Sequence, residues 1–173
     1  MEKLTKQVEE AIREAIKLEI NGRKFFNYAA DVTHHERGKN MFRHLAQEEV
    51  KHLDIFGDIF TKLLGSEEWK NFVNAQTVSG TAPLVEKLKE RMKNAAGKGE
   101  TEALSIGMEL ESEAIAFFQK ASSEAGDSKA AKILWDIAED EKYHYDLLQA
   151  QYDSVMRTGN WLSGAEFQMD GKW

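Results

Sequence analysis

The sequence predicts an all-α fold, a four-helix bundle with a long crossover between its second and third helices and two repeated helix pairs. Three observations carry this. Apolar residues at helical spacing fill four long blocks of the 173-residue chain. Only Pro83 breaks the chain, and strand-forming runs bounded by turn residues are scarce. Shifted by 92 residues without a gap, the second half repeats the first: Glu19 falls on Glu111, Phe25 and Phe26 on Phe117 and Phe118, Ala46 on Ala138, Glu49 on Glu141 and His52 on His144.

The first block, about 3–33, places Val8, Ile12, Ala15, Glu19, Gly22, Phe26 and Ala29 in alternating steps of four and three, one face of a helix. In the second, about 37–64, the stripe reads Leu45, Glu49, His52, Phe56, Ile59 and Leu63. A connection of about 35 residues follows. It holds a loop-like stretch, 77–83, and a weaker helical stretch, 84–96. Neighbouring elements rarely need so long a link, and the crossover of a bundle that is not simply up and down does.

The third block, about 100–124, repeats the phase of the first with Leu104, Gly107, Glu111, Ala114, Phe118 and Ala121. The fourth, about 128–157, gives Leu134, Ile137, Glu141, His144, Leu148 and Val155, interrupted by Gln151. Glycines 38, 65, 97, 99, 126 and 159 lie near the block margins, where helix ends place them. The bundle is thus expected over 1–157, with repeats at about 1–65 and 93–157 and a crossover at 66–99. Two helices cannot bury their apolar faces alone, so the repeats stack. The tail, 158–173, is expected to dock through Trp161, Phe167 and Trp173 on the bundle or on a neighbouring subunit.

Composition excludes several chemistries. Without cysteine there is no disulfide, zinc finger, thiol nucleophile or cysteine-held iron in this chain. A formal net charge of −7 disfavours nucleic acid as a partner. No stretch approaches the roughly 20 apolar residues of a membrane span, and residues 1–6 lead into an amphipathic pattern and not an apolar signal core. The expectation is a cytoplasmic protein with no membrane or nucleic-acid partner.

Every predicted helix carries an ionisable residue in the middle of its core-facing stripe. A buried carboxylate must be protonated, paired or coordinated, and no lysine or arginine shares the central positions. Glu19, Glu49, His52, Glu111, Glu141 and His144 instead have the composition of a two-metal site. Four carboxylates carry four negative charges, which two divalent ions cancel. In Glu-x-x-His, spacing of three puts both side chains on one helix face. One such pair among 21 glutamates is weak evidence. Two at matching places in a duplication, in phase with the stripe and joined by Glu19 and Glu111, form the di-iron or di-manganese bundle pattern.

The strings around Leu18-Glu19 and Phe26, 46–52, Leu110-Glu111 and Phe118, and 138–144 resemble the rubrerythrin family of ferritin-like di-iron proteins, over nearly the whole chain. The resemblance implies that Glu49 and Glu141 bridge two iron ions (Fe2+/Fe3+), with manganese or a mixed pair also suited to these ligands. Glu19 and Glu111 would be terminal ligands, and His52 and His144 would each bind one ion on those respective sides. Glu48 and Asp140 would each hydrogen-bond the histidine of the opposite repeat and orient its ring. Three departures stand out: no cysteines for a rubredoxin-like iron, Ala114 where rubrerythrin peroxidases carry an extra glutamate, and Phe26 and Phe118 where tyrosines are frequent.

These features lead to a di-iron peroxidase or oxidase that reduces hydrogen peroxide or dioxygen in oxidative-stress defence. Electrons would come from an external donor such as a rubredoxin-like protein, and the expected assembly is a homodimer. Two other classes compete: a ferroxidase or iron-handling ferritin-like protein, and a metal-free structural bundle in which Glu49→Ala or Glu141→Ala would relieve carboxylate repulsion. His34, His35 and His44 read as surface histidines, Tyr143 and Tyr145 as packing or solvent contacts, and 86–93 as a solvated helix face.

Overall fold

The computed structural model describes residues 6–64, 70–71, 73–74, 83–94 and 99–163. They form α1 (Lys6–Val32), α2 (Glu36–Leu64), α3 (Pro83–Asn94), α4 (Gly99–Glu124) and α5 (Ser128–Thr158). All are helices, and none is long and apolar enough to cross a membrane. The long helices match the expected blocks to within a few residues. Pro83, expected in the preceding loop, instead opens α3, because its missing N–H costs nothing in a first helical turn. Phe167 and Trp173 of the tail lie outside the described residues, as does half of the crossover.

Local chemistry fixes the helix ends. Asp127 caps α5: its carboxylate accepts hydrogen bonds from Lys129 N at 2.9 Å and Ala130 N at 2.8 Å. Gly159 ends the same helix in the left-handed region, φ 72°, and its N–H donates to Val155 O. At the α1–α2 turn, Thr33 Oγ1 donates to Ala29 O at 2.7 Å. The amides of His34 and His35 donate to Glu100 Oε1 at 2.8 and 3.2 Å, tying that turn to the first turn of α4.

Helix α1 packs chiefly on α2, and α4 on α5; the pairs meet along α1 and α4, with α3 lying against both. Two apolar clusters result. One contains Phe26, Phe42, Leu45, Leu104 and Leu148; the other Ile12, Phe56, Phe118, Leu134 and Ile137. Under the 92-residue shift Phe26 meets Phe118, Phe42 meets Leu134, Leu45 meets Ile137, Leu104 meets Ile12 and Leu148 meets Phe56. Each equivalent pair is divided between the clusters, so the duplication puts matching apolar layers on either side of the residues between them. Each fully buried phenylalanine contributes about 1.5–3 kcal/mol, which offsets the burial of charge in the middle.

The start of the tail docks within the chain. Trp161 is buried, stacks on His35 with centroids 6.4 Å apart, meets Phe42 edge-on at 6.1 Å, and donates from Nε1 to Glu100 Oε2 at 3.2 Å. Gln151, which interrupts the α5 stripe, is buried because it clasps this segment: Oε1 accepts from Leu162 N at 2.8 Å and Nε2 donates to Leu162 O at 3.2 Å.

Candidate metal centre

Between the two apolar layers α1 contributes Glu19, α2 Glu49 and His52, α4 Glu111, and α5 Glu141 and His144. All six are at most 4% exposed. Their ligand atoms fall into two overlapping groups, Glu19–Glu49–His52–Glu141 and Glu49–Glu111–Glu141–His144, within each of which they lie within 4.8 Å of one another. Glu49 and Glu141 are common to both. Either group has the oxygen and nitrogen donors of a divalent-ion site.

Both histidines turn Nδ1 toward the carboxylates. His52 Nδ1 lies 3.2 Å from Glu19 Oε2 and 3.1 Å from Glu141 Oε1. His144 Nδ1 lies 2.9 Å from Glu141 Oε2, 3.5 Å from Glu111 Oε1 and 3.8 Å from Glu49 Oε1. The rings stack with centroids 6.0 Å apart and planes at 27°. His52 Nε2 faces outward to Asp140 Oδ2 at 3.4 Å, a contact from the opposite repeat of the kind the sequence predicts. Its expected mirror image, Glu48 to His144, is corrected: Glu48 accepts from Lys51 Nζ at 2.5 Å, one turn along the same helix, and lies 3.9 Å from His44 Nδ1. The lysine captures the charge toward solvent, and residue 143, the corresponding position beside Asp140, is Tyr143.

Protons neutralise this centre when it holds no ion. Burial pushes the Glu49 carboxyl well above its ordinary value, and Glu19 and Glu141 push it further. Burial, then Glu141, raises Glu111 likewise. For His52 burial opposes the charge, but Asp140, Glu141 and Glu19 outweigh it and push the ring up to about 12. His144 rises to about 10, where burial is outweighed by Glu111 and Glu141. Glu141 goes the other way: burial raises it, and its bonds to His144 and His52 overcome that and hold it ionised.

Four oxygens are left over. Glu19 Oε1, Glu49 Oε1 and both oxygens of Glu111 are buried without a hydrogen-bond partner. Orphaned polar atoms in a packed interior are costly, and a pair of cations facing these carboxylates would satisfy all four. The donor set therefore fits two divalent ions.

A cavity of about 220 Å³ opens onto the carboxylates from one side. It is lined by all four central glutamates together with Leu18, Asn21, Pro83, Leu84, Leu110, Glu113 and Ala114. Nothing in the sequence marks Asn21 or Leu84, and Glu113, which helical spacing places on another face than Glu111, still reaches the lining. The first and last lie off the apolar stripes, and Leu84 belongs to a crossover whose landing place no periodicity encodes. Against the same carboxylates α1 keeps Gly22, where a Cβ would stand 3.1 Å from the Glu49 carboxyl. His34 and His35 are exposed as expected, although His35 also serves as the face on which Trp161 stacks.

The rubrerythrin family profile matches residues 10–152, most of the chain and all six central residues. Among solved structures, a hypothetical protein from Pyrococcus furiosus superposes with a TM-score of 0.64 over 90% of this chain and 93% of that one. At 22% identity that likeness speaks for the fold alone. No curated protein matches.

Proposed function

The chain belongs to the rubrerythrin family, and from that premise we propose that it is a non-haem di-iron oxidoreductase, reducing hydrogen peroxide or dioxygen with electrons from a separate donor protein. The observation that carries this reading is that Glu49 and Glu141 belong to both ligand groups. Glu19 with His52 completes one group and Glu111 with His144 the other. Glu49 and Glu141 would bridge two ions, and each remaining pair would hold one of them.

Held by these six residues, two iron ions would supply the two electrons with which hydrogen peroxide, taking up two protons, is reduced to two waters. The protein's share is to hold, orient and keep dry. Asp140 fixes the His52 ring through Nε2, leaving Nδ1 aimed inward. Phe56 and Phe118, stacked at 5.9 Å, close one end, and Phe26 with Phe42, at 6.3 Å, closes the other. These rings exclude water along the bundle axis, as befits Phe26 and Phe118 at positions where relatives often carry tyrosine. We place the reaction in the cytoplasm and the chain in a homodimer, the latter checked by light scattering.

The test is stopped-flow absorbance after anaerobic loading with ferrous iron, with iron per chain measured on the same stock. Two irons per chain and much faster oxidation by peroxide than by dioxygen is the expected result. Comparable or faster oxidation by dioxygen would favour an oxidase or a ferroxidase, the latter a reading that Ala114 and the near-symmetrical ligand set also suit. If no iron binds, the di-iron reading fails.

A further inference from the structure

We propose that the side cavity is the entry route by which divalent cations reach the buried carboxylates, with Glu113 as the residue that first meets the ion and Leu84 of the crossover helix as the constriction. This rests on the metal-binding reading above.

Among the described residues, the cluster is closed along the bundle axis. One apolar layer (Phe26, Phe42, Leu45) covers one end and the other (Ile12, Phe56, Phe118) covers the opposite end, and a hydrated cation does not cross such layers. The histidine side is occupied by the stacked rings and by Asp140 on His52. The remaining approach lies between α1 and α4 under the first turn of α3, where the cavity brings Glu19, Glu49, Glu111 and Glu141 to its floor.

Three properties of this cavity suit a cation. Its lining holds five glutamates and neither lysine, arginine nor histidine, so oxygen donors line the whole descent and no basic side chain bars it. Four carboxylate oxygens on three of those residues are buried and unpartnered, so the floor has vacant donors. At about 30 Å³ per water, a volume of about 220 Å³ admits an ion still carrying several waters. Glu113 is exposed and Asn21 half-buried, and their oxygens are hard donors able to replace water before the ion descends. Pro83 and Leu84 give the crossover helix a task beyond joining the two pairs.

The test is the rate at which the metal-free full-length protein takes up Co2+, followed by stopped-flow absorbance under anaerobic conditions, with bound cobalt counted at equilibrium. Glu113→Lys is expected to slow loading at least about tenfold and to flatten its dependence on salt. Leu84→Trp is expected to slow it, and Leu84→Ala to quicken it. The final cobalt per chain stays at the wild-type value in each. Asp31→Lys, the same charge change on an exposed residue in the last turn of α1, is expected to load at the wild-type rate. Circular dichroism checks that each variant is folded, and Glu113→Gln, which only removes the charge, provides the milder form. Glu113→Lys and Leu84→Trp loading as fast as wild type would overturn the route while leaving the metal centre standing. A wild-type protein that takes up no cobalt would overturn both.

Discussion

Glu49 and Glu141 occupy equivalent positions in the two repeats and have opposite surroundings. Glu141 divides its oxygens between the imidazoles, Oε1 at 3.1 Å from His52 and Oε2 at 2.9 Å from His144, whereas Glu49 Oε1 has no hydrogen-bond partner. In the metal-free protein, therefore, the two carboxyls are not interchangeable. Glu141→Gln would leave two buried imidazolium rings without their shared counter-charge, a loss of about 3–5 kcal/mol. Glu49→Gln removes a carboxyl that burial already keeps protonated, and stability is expected to hold or rise. Urea denaturation of chelator-treated protein reads both, and equal losses would mean that the charge is shared evenly. A structural bundle alone would gain from either change, as the bare sequence suggests.

The same protons give the metal-free protein a slope with pH. Glu49 and Glu111 hold protons in the folded state above their ordinary value of 4.5, and His52 and His144 do so above 6.5, up to about 12 and about 10. Over these ranges the native state binds more protons than the unfolded one, so stability falls as pH rises. Glu141, held ionised, contributes the opposite slope, but only below its ordinary 4.5. The Tm of chelator-treated protein should fall between about pH 5.5 and about pH 9. Metal loading near neutral pH must expel protons from these groups, which an indicator dye in weak buffer measures. Loading without proton release would place the ions elsewhere.

Asp140 and Glu48 are equivalent by the duplication, yet only Asp140 reaches a histidine of the centre. Asp140→Asn is expected to weaken cation binding about 10–100-fold, the usual effect of losing a partner that orients a ligand. Glu48→Gln should leave affinity unchanged and cost only an exposed pairing with Lys51, about 0–1 kcal/mol. Competition titration against a chelating dye separates the two. Equal effects would mean that Asp140 acts through its charge and not through its contact.

What could be read in the sequence was what the duplication repeats. Glu19, Glu49, His52 and their counterparts recur with the apolar phase, and burial at those positions follows from helical geometry. Features that break the repeat were harder to see. Lys51 draws Glu48 away, whereas its counterpart Tyr143 offers Asp140 no charge. Gln151 looks like a flaw in a stripe until Leu162 is found in its grasp. Leu84 lines the cavity beside segments with which it shares no period. Sequence spacing reports which face a residue occupies, not what a non-repeating neighbour brings to it.

The docked tail gives a prediction independent of any metal. A Cβ on Gly38 would stand 2.7 Å from Trp161 Cζ2 and 2.7 Å from Thr33 Cγ2, so Gly38→Ala must displace a rigid ring. It should destabilise despite the better helix propensity of alanine. Trp161→Ala should cost about 3–5 kcal/mol, and the double variant should cost less than the sum of the two, since only the contact with Thr33 Cγ2 then remains. Thermal unfolding of the four proteins checks this cycle. Additive losses would show that Gly38 is needed for some reason other than the indole.

Gly22 is the corresponding small residue at the centre itself. Glycine within α1 sacrifices about 0.5–1 kcal/mol of helix stability relative to alanine, and its repeat counterpart is Ala114. What Gly22 secures is room: an added Cβ would lie 3.1 Å from both Cδ and Oε2 of Glu49, and 3.5 Å from Oε1. That is close enough to push the carboxyl aside by a few tenths of an ångström. Gly22→Ala should therefore cost the metal-free protein little, because Glu49 Oε1 has no hydrogen-bond partner to lose and only the contact of this carboxyl with Glu19 is at stake. In the metal-bound state the same shift acts on a residue common to both ligand groups, and affinity should drop about tenfold or more, with altered visible bands in the cobalt-substituted protein. A variant that gains thermal stability and keeps the wild-type cobalt spectrum would mean that Glu49 adapts freely, and that Gly22 plays no part in setting its position.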